Sequence, residues 1–451
     1  MNIPGTREVG AKAWLRDQGF VPVTPVIRSS DYDLANSCPF KYYLKRRLQI
    51  TVPHTASQAL INGSWFHVCL EYKDYEDGDL VGHVQTRLND RIAELRETCK
   101  IAGYHGEAVQ GIVEHEASMA NQALGRYIAL RRCRFPHMGA VFDKGFDRVL
   151  PDYIVLGYEV PVQLEHESGL MLSALIDVLL FNPKNNKIYI LDMKTTSYPT
   201  AIRLQTCPFE FQTRHYSYIV NHCIEALKEK FDLPPDTGFG GMYHLAVLTP
   251  SIRMGREDVP YIYRANGARS GLSGVARMTE NGTWTASSGE SVLCEGVTEQ
   301  QAFDQLWQYC QKKPAKDRGT GEPSLHNYIN RCYDWYQGVG QYAHLRAERD
   351  ASCPFNLSIT RPSEVIEGPA LTEYQQQLNL VIDLATRDPE PGNFIRNKEG
   401  VMHYRRVSDY AGFYGDHNLS EWPDIMRQHR LVFASTDVPM TDKGVACHLQ
   451  T

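Results

Sequence analysis

Nowhere in the 451 residues does an apolar run reach the roughly 18 positions that a membrane span requires, so a helical membrane protein is excluded. The first stretch, "MNIPGTREVGAKAWLRDQGF", lacks an apolar segment followed by a small-residue cleavage site, and the expectation is a cytoplasmic protein. Positive charge is in short supply too. Lys and Arg number 47 against 53 Asp and Glu, a net charge of −6, so any contact with nucleic acid must use a local basic surface. There is no G-x-x-x-x-G-K-[ST] phosphate loop, which argues against a helicase machine. The 11 cysteines include no C-x-x-C pair. Their irregular spacing fits reduced thiols better than a disulfide framework or a zinc site.

What is present falls into three textures. Apolar residues recur at helical spacing from Ser57 to Tyr75, with Leu60, Ile61, Phe66, Val68 and Leu70 on the pattern, then from Val84 to Lys100 and from Glu107 to Arg134. The last of these ends with Arg126, Arg131, Arg132 and Arg134, which either suit a helix C-terminus or face phosphate. A β-rich stretch follows, with "NPKNNK" as a hairpin loop between strands ending near Phe181 and beginning near Lys187. "EFQTRHYSYIVNHCIEALKEKF" then predicts an amphipathic helix covering the sheet, and "MYHLAVLTPSIRM" a further strand. Beyond it, "PYIYRANG" and "GTWTASSGES" predict hairpin strands, and "TEQQAFDQLWQYCQKK" and "LTEYQQQLNLVIDLATRD" predict helices. The expected organisation is a helical region over 1–150, an α/β core over 151–250 and an α+β elaboration over 251–451 packed on that core.

Chemistry concentrates in two neighbouring strands. "LSALID" ends on Asp177, and "IYILDMKTT" carries Asp192 and, two residues on, Lys194. A period of two puts Asp192 and Lys194 on one face, and a hairpin brings Asp177 beside them. Two such carboxylates repel unless a cation lies between them. Hard oxygen ligands suit Mg²⁺ or Mn²⁺, and Lys194 is placed to orient a water or to neutralise charge on a phosphate. That is a layout for cutting phosphodiesters. The plainer alternative is an ion pair closing a strand. A glycosidase with paired carboxylates gives no reason for the lysine.

The order "LSALID", hairpin, "IYILDMKTT" resembles the core of the PD-(D/E)XK nuclease superfamily, and Lys-Thr-Thr is typical of its RecB-like branch, which includes the CRISPR-adaptation exonucleases. Three further stretches match in order: "SSDYDLANSCPFKYYLKRRL", "GSWFHVCLE" with Gly63 and His67 in a Gly-x-x-x-His pattern, and "FQTRHYSY" with Gln212 and Tyr216 in Q-x-x-x-Y. The resemblance implies a restriction-endonuclease-like fold, a mixed central sheet flanked by helices. It implies that His67, Asp177 and Asp192, with the Met193 backbone carbonyl, bind Mg²⁺ or Mn²⁺, that Lys194 positions the attacking water, and that Gln212 and Tyr216 support the site and touch DNA.

Lys41, Lys45, Arg46 and Arg47 are the expected phosphate contacts, with Tyr42 and Tyr43 as base-stacking candidates. A core helix with a solvated basic end fits that segment equally. Glu159 sits where the branch often has a glutamate before the metal aspartate. The sequence departs from the pattern at Ala174, where glycine is common, and in lacking a closely spaced C-terminal cysteine group to join Cys38, so no iron–sulfur cluster is expected. The function implied is a metal-dependent deoxyribonuclease, an exonuclease acting on single-stranded DNA or free ends in end processing, recombination or phage DNA metabolism. The alternative is a nuclease-derived DNA-binding subunit that has lost activity.

Overall fold

The computed structural model describes residues 16–51, 58–72, 77–133, 152–196, 205–250, 326–345, 355–360 and 367–388, with shorter pieces around 252, 276–286 and from 394 to 448. Three long helices precede the main strands: α3 (Gln58–Glu71), α4 (Asp77–Ile101) and α5 (Glu107–Arg132). Upstream lie strand β1 (Ile27–Arg28) and two short helices, α1 (Asp31–Ser37) and α2 (Pro39–Tyr42), the second running into a π-helical turn over Tyr43–Arg47.

The predicted hairpin forms. β2 (Ile154–Glu165) and β3 (Met171–Asn182) pair antiparallel, and β3 pairs antiparallel with β4 (Lys187–Thr196). The loop between β3 and β4 closes as the "NPKNNK" signal predicts. The Asn182 side chain accepts the Lys184 N–H at 2.9 Å, and Asn186 takes a φ of 52°, a left-handed geometry that asparagine tolerates. Helices α6 (Phe211–His222) and α7 (Ile224–Phe231) cross back to β5 (Gly238–Leu248), which lies parallel to β4. Gly240 is needed there, because a Cβ on it would stand 2.2 Å from the Tyr189 ring. Farther along are α8 (His326–Gln337), β6 (Phe355–Thr360), α9 (Gly368–Thr386) and β7 (Val445–His448).

The result is a seven-stranded mixed sheet in the order β7-β2-β3-β4-β5-β6, with β1 parallel to β3 off that path. Helices cover both faces, giving the expected mixed sheet flanked by helices. One core joins α1, α2, α6 and α9 to side chains such as Ile176, Ile188 and Ile190; the other joins α3, α4, α5 and α8 to Val178, Leu191 and Met193. Among the described residues no helix is long and apolar enough to cross a membrane.

Two expectations change. Cys38, Cys69, Cys99, Cys133, Cys207 and Cys332 are buried thiols outside any disulfide, but Cys223 is disulfide-bonded, a pairing that irregular spacing hides. At the end of α5, Arg126 and Arg131 are buried and Arg126 reaches the Ile252 carbonyl at 3.4 Å. They serve packing, and Arg132 alone of that group is exposed among the described residues. The helix expected over "TEQQAFDQLWQYCQKK" and the strand over "PYIYRANG" lie outside the described residues; "GTWTASSGES" includes a strand, Trp284–Ala286, paired with Ala276–Met278.

His215 ties one core together. Its Nε2 lies 3.2 Å from the Ser173 carbonyl, which can only accept, so Nδ1 takes the Tyr374 hydroxyl at 3.0 Å. Burial pushes this imidazole down from 6.5 to about 4, so the unfolded chain binds the extra proton first. The stability it contributes is complete above pH 6.5 and is lost as pH falls from 6.5 toward 4. Urea unfolding across that window will show a loss of a few kcal/mol, at about 1.4 per pH unit, and His215→Gln will flatten the slope.

Candidate active site at a fork in the sheet

The β3/β4 ladder runs from Asn182 opposite Lys187 to Val178 opposite Leu191 and stops. Beyond it β4 continues beside β5 as far as Thr196, while β3 continues beside β2 and takes β1 as a partner at Leu172 and Ser173. The two strands therefore part, and Asp177 is the first residue of β3 past the last pair. Its Oδ2 accepts the Met193 N–H at 2.7 Å, so a side chain replaces the missing rung. In a strand the carbonyl of a residue points to the same side as its N–H, which turns the Met193 carbonyl into the fork.

Asp192 occupies the floor, 1% exposed. Its Oδ1 accepts from Lys194 Nζ at 2.8 Å and Gln212 Nε2 at 3.1 Å, and its Oδ2 faces His244 Nδ1 at 3.3 Å. Lys194 also donates to Gln212 Oε1 at 2.9 Å, closing a triangle that fixes which way the amide is turned. On Asp192, burial raises the carboxyl but Lys194 and His244 outweigh it, and the group is held below its usual range. For Lys194, burial lowers the ammonium, but the Asp192 and Asp177 charges prevail and raise it.

His67 enters from the other face. Helix α3 buries Trp65, Phe66, Cys69 and Leu70 against the sheet, and a Cβ on Gly63, one turn before His67, would lie 3.4 Å from the Thr195 hydroxyl. The helix can thus lie close to β4. His67 Nδ1 stands 3.2 Å from Glu159 Oε1 and 3.5 Å from Asp177 Oδ1. Burial pulls the imidazole down, yet the Asp177 and Glu159 carboxylates win and push it up to about 9. Burial pushes Asp177 up to about 6, with Asp192 and Glu159 adding and His67 and Lys194 opposing. A carboxyl raised this far beside an imidazole raised this far marks a site short of positive charge.

Glu159 is the residue that sequence reasoning weighed but left outside the ligand set. Its neighbours pair as Tyr158 with Val178 and Val160 with Ile176, which sets it opposite Asp177. Its φ of 46° is a strained left-handed geometry for a residue with a side chain. His67, Glu159 and Asp177 each offer one ligand atom within 4.8 Å of the others. Two carboxylate oxygens and an imidazole nitrogen fit a divalent cation of the Mg²⁺ or Mn²⁺ kind. Asp192, expected as a direct ligand, lies outside that trio, with its oxygens engaged by Lys194, Gln212 and His244. His244 itself went unnoticed; its only signal was a lone polar residue inside the apolar strand "MYHLAVL".

The remaining expected residues divide. Gln212 joins the site directly. Tyr216, one turn on, is buried and hydrogen-bonded to the Ser29 side chain, and burial with the nearby Asp177 charge pushes its hydroxyl up to about 12. It supports the site from behind. In the basic helix, Arg47 is a correction: it is buried and donates to the carbonyls of Val23, Leu384 and Arg387 at 2.7, 3.2 and 3.0 Å, so it holds core elements together. Tyr42 is fully buried and Tyr43 stacks on Phe394 at 4.5 Å, so neither is a base-stacking surface. Arg46 pairs with Asp31 at 2.5 Å and donates to Ser30 at 2.8 Å. Lys41, half-buried, lies over the Tyr410 ring at 5.9 Å, and Lys45 is half-buried. The Cys38 sulfur is 2.8 Å from the Tyr414 hydroxyl.

A family model described as the PD-(D/E)XK nuclease superfamily matches residues 29–312, more than half of the chain. Among curated proteins nothing matches.

A cation bound only by the folded site stabilises it by mass action, about 2.7 kcal/mol at a hundred times its Kd. Thermal melting with Mn²⁺ or Mg²⁺ will therefore shift upward by several degrees, and Asp177→Asn or His67→Ala will abolish the shift. An unchanged shift in both variants would remove these two residues from the cation site.

Proposed function

The chain belongs to the PD-(D/E)XK nuclease superfamily, and from that premise we propose that it is a metal-dependent deoxyribonuclease that digests DNA from free ends. The observation that carries the reading is the convergence on one fork of Asp177, Asp192, Lys194 and Gln212 from the sheet and α6, with His67 from α3. An inactive descendant has no need to keep these buried charges, which are costly to hold without a partner. The exonuclease assignment rests on the resemblance of Gly63/His67 and Gln212/Tyr216 to the RecB-like branch.

His67, Asp177 and Glu159 would hold Mg²⁺ or Mn²⁺ together with the Met193 carbonyl, and Asp192 beside them. The bound ion would polarise a phosphoryl oxygen and make a metal-bound water acidic. Lys194 has three ammonium hydrogens, and among the described residues Asp192 and Gln212 engage two of them. The third is directed to the attacking water or a phosphate oxygen, where its charge offsets the negative charge growing on phosphorus. The water oxygen loses one proton to solvent and bonds to phosphorus as the bond to the leaving oxygen breaks, and that oxygen is released with a proton from solvent. Gln212 keeps Lys194 and Asp192 in register, and Tyr216 holds α6 to Ser29. With a net charge of −6, DNA contact relies on local cations, of which Lys41 and Lys45 remain candidates.

End-labelled linear and circular DNA, single- and double-stranded, incubated with Mn²⁺ will test this. Linear substrates are expected to be degraded and circles spared, with Asp192→Ala and Lys194→Ala slower by about 100-fold or more. Circles cut as fast as linear DNA would overturn the exonuclease reading. Variants as fast as the parent would overturn the site, and a parent inert with every substrate would favour a DNA-binding subunit.

A further inference from the structure

His244 lies on β5 directly across from Asp192 in the parallel register, 1% exposed, in a strand whose neighbouring positions Met242, Leu245, Ala246 and Val247 are buried and apolar. Burying an imidazole among such residues is costly unless it finds a hydrogen-bond partner, and Nδ1 has one. Nδ1 stands 3.3 Å from Asp192 Oδ2. An ionised carboxylate can only accept, so the hydrogen is on Nδ1. Nε2 stands 3.3 Å from the Thr213 hydroxyl oxygen, whose one hydrogen goes to the Cys207 carbonyl at 2.6 Å, so on this side the ring packs against the hydroxyl. Cys207 and Thr213 bracket the start of α6, the helix that carries Gln212. The ring is thus clamped between the carboxylate and the helix end.

We infer that His244 is a positioning residue for Asp192: it holds one carboxylate oxygen so that the other stays aimed at Lys194 and Gln212. The role deepens the nuclease reading and rests on it. A carboxylate turns about its terminal bond with little resistance. Without a donor at Oδ2, Asp192 can swing both oxygens toward Lys194, and the cation site then loses the carboxylate that borders it. Partners of this kind typically change metal affinity or activity by about 10–100-fold.

Three substitutions separate positioning from packing. His244→Asn keeps an N–H at the place of Nδ1, whereas His244→Gln carries its amide one bond farther, toward Thr213; His244→Leu has neither. In the full chain, Mn²⁺ affinity by calorimetry and kcat on linear DNA are expected to fall about 10–100-fold in the Gln and Leu variants. KM for DNA should stay within about twofold, and the Asn variant within about threefold of the parent in both measurements. Asn and Gln variants that behave alike would overturn the role of His244, and this contrast decides even if the Leu variant fails to fold. A parent that neither binds Mn²⁺ nor cleaves DNA would instead overturn the nuclease reading itself.

Discussion

The site depends on keeping one ionised carboxylate away from water. Asp192 is 1% exposed, and a carboxylate without compensation in such a place would cost several kcal/mol. Compensation comes from three elements at once: Lys194 on β4, Gln212 on α6 and His244 on β5. Each is fixed by what it does for Asp192, so the relative placement of helix and strands is set by one group's need for donors. The charge count then favours a cation. Glu159, Asp177 and Asp192 confront His67 and Lys194, and the imbalance is greatest on the His67 side, where the imidazole is raised to about 9. In the absence of a metal, a proton on His67 does part of the neutralising. On the proposed reading, a divalent ion would replace that proton with a stronger charge held by the same carboxylates.

The strands over 154–196, the hairpin loop, and α3, α4, α5 and α9 were legible in the sequence because periodicity and turn chemistry are local properties. So was the closeness of Asp177, Asp192 and Lys194, because a hairpin gives neighbours. What was not legible is where a ladder ends. Past the parting, β3 takes the two residues of β1, which come from more than 140 positions upstream of the strand they join, and nothing in "VIRSS" announces a strand. Glu159 was undervalued for the same reason. Its inward direction follows from a left-handed backbone and from standing opposite Asp177, and neither can be read from "GYEVPV".

The basic helix shows a different limit. Lys41, Lys45, Arg46 and Arg47 share a segment, and a regular α-helix would keep them in a predictable phase. The chain instead passes into a π-helical turn over Tyr43–Arg47, which inserts a residue and shifts everything after it around the axis. Arg47 turns inward to three carbonyls, two of them in or next to α9. A cation pattern reads as surface only where the helix geometry is known. The two histidines His215 in α6 and His244 in β5 were open to the same doubt. Both are core residues by burial, yet one joins helices to the sheet and the other contacts the carboxylate on the floor of the candidate site.

Why the site stands at a fork follows from the layers. A continuous ladder is a wall of paired backbone, and helices on its two faces cannot address the same side chain. His67 belongs to the layer of α3, α4, α5 and α8, whereas Gln212 belongs to the layer of α1, α2, α6 and α9. Where β3 leaves β4 the wall opens. There Asp177 caps the exposed Met193 N–H and turns its other oxygen toward His67, while Asp192 one residue before Met193 points to Gln212. Successive residues on one strand thus serve opposite layers, and the alternation that builds the two cores also distributes the groups of the candidate site between them. The chemistry is consequently tied to the integrity of both helical layers: loosening either one moves its half of the site against the other.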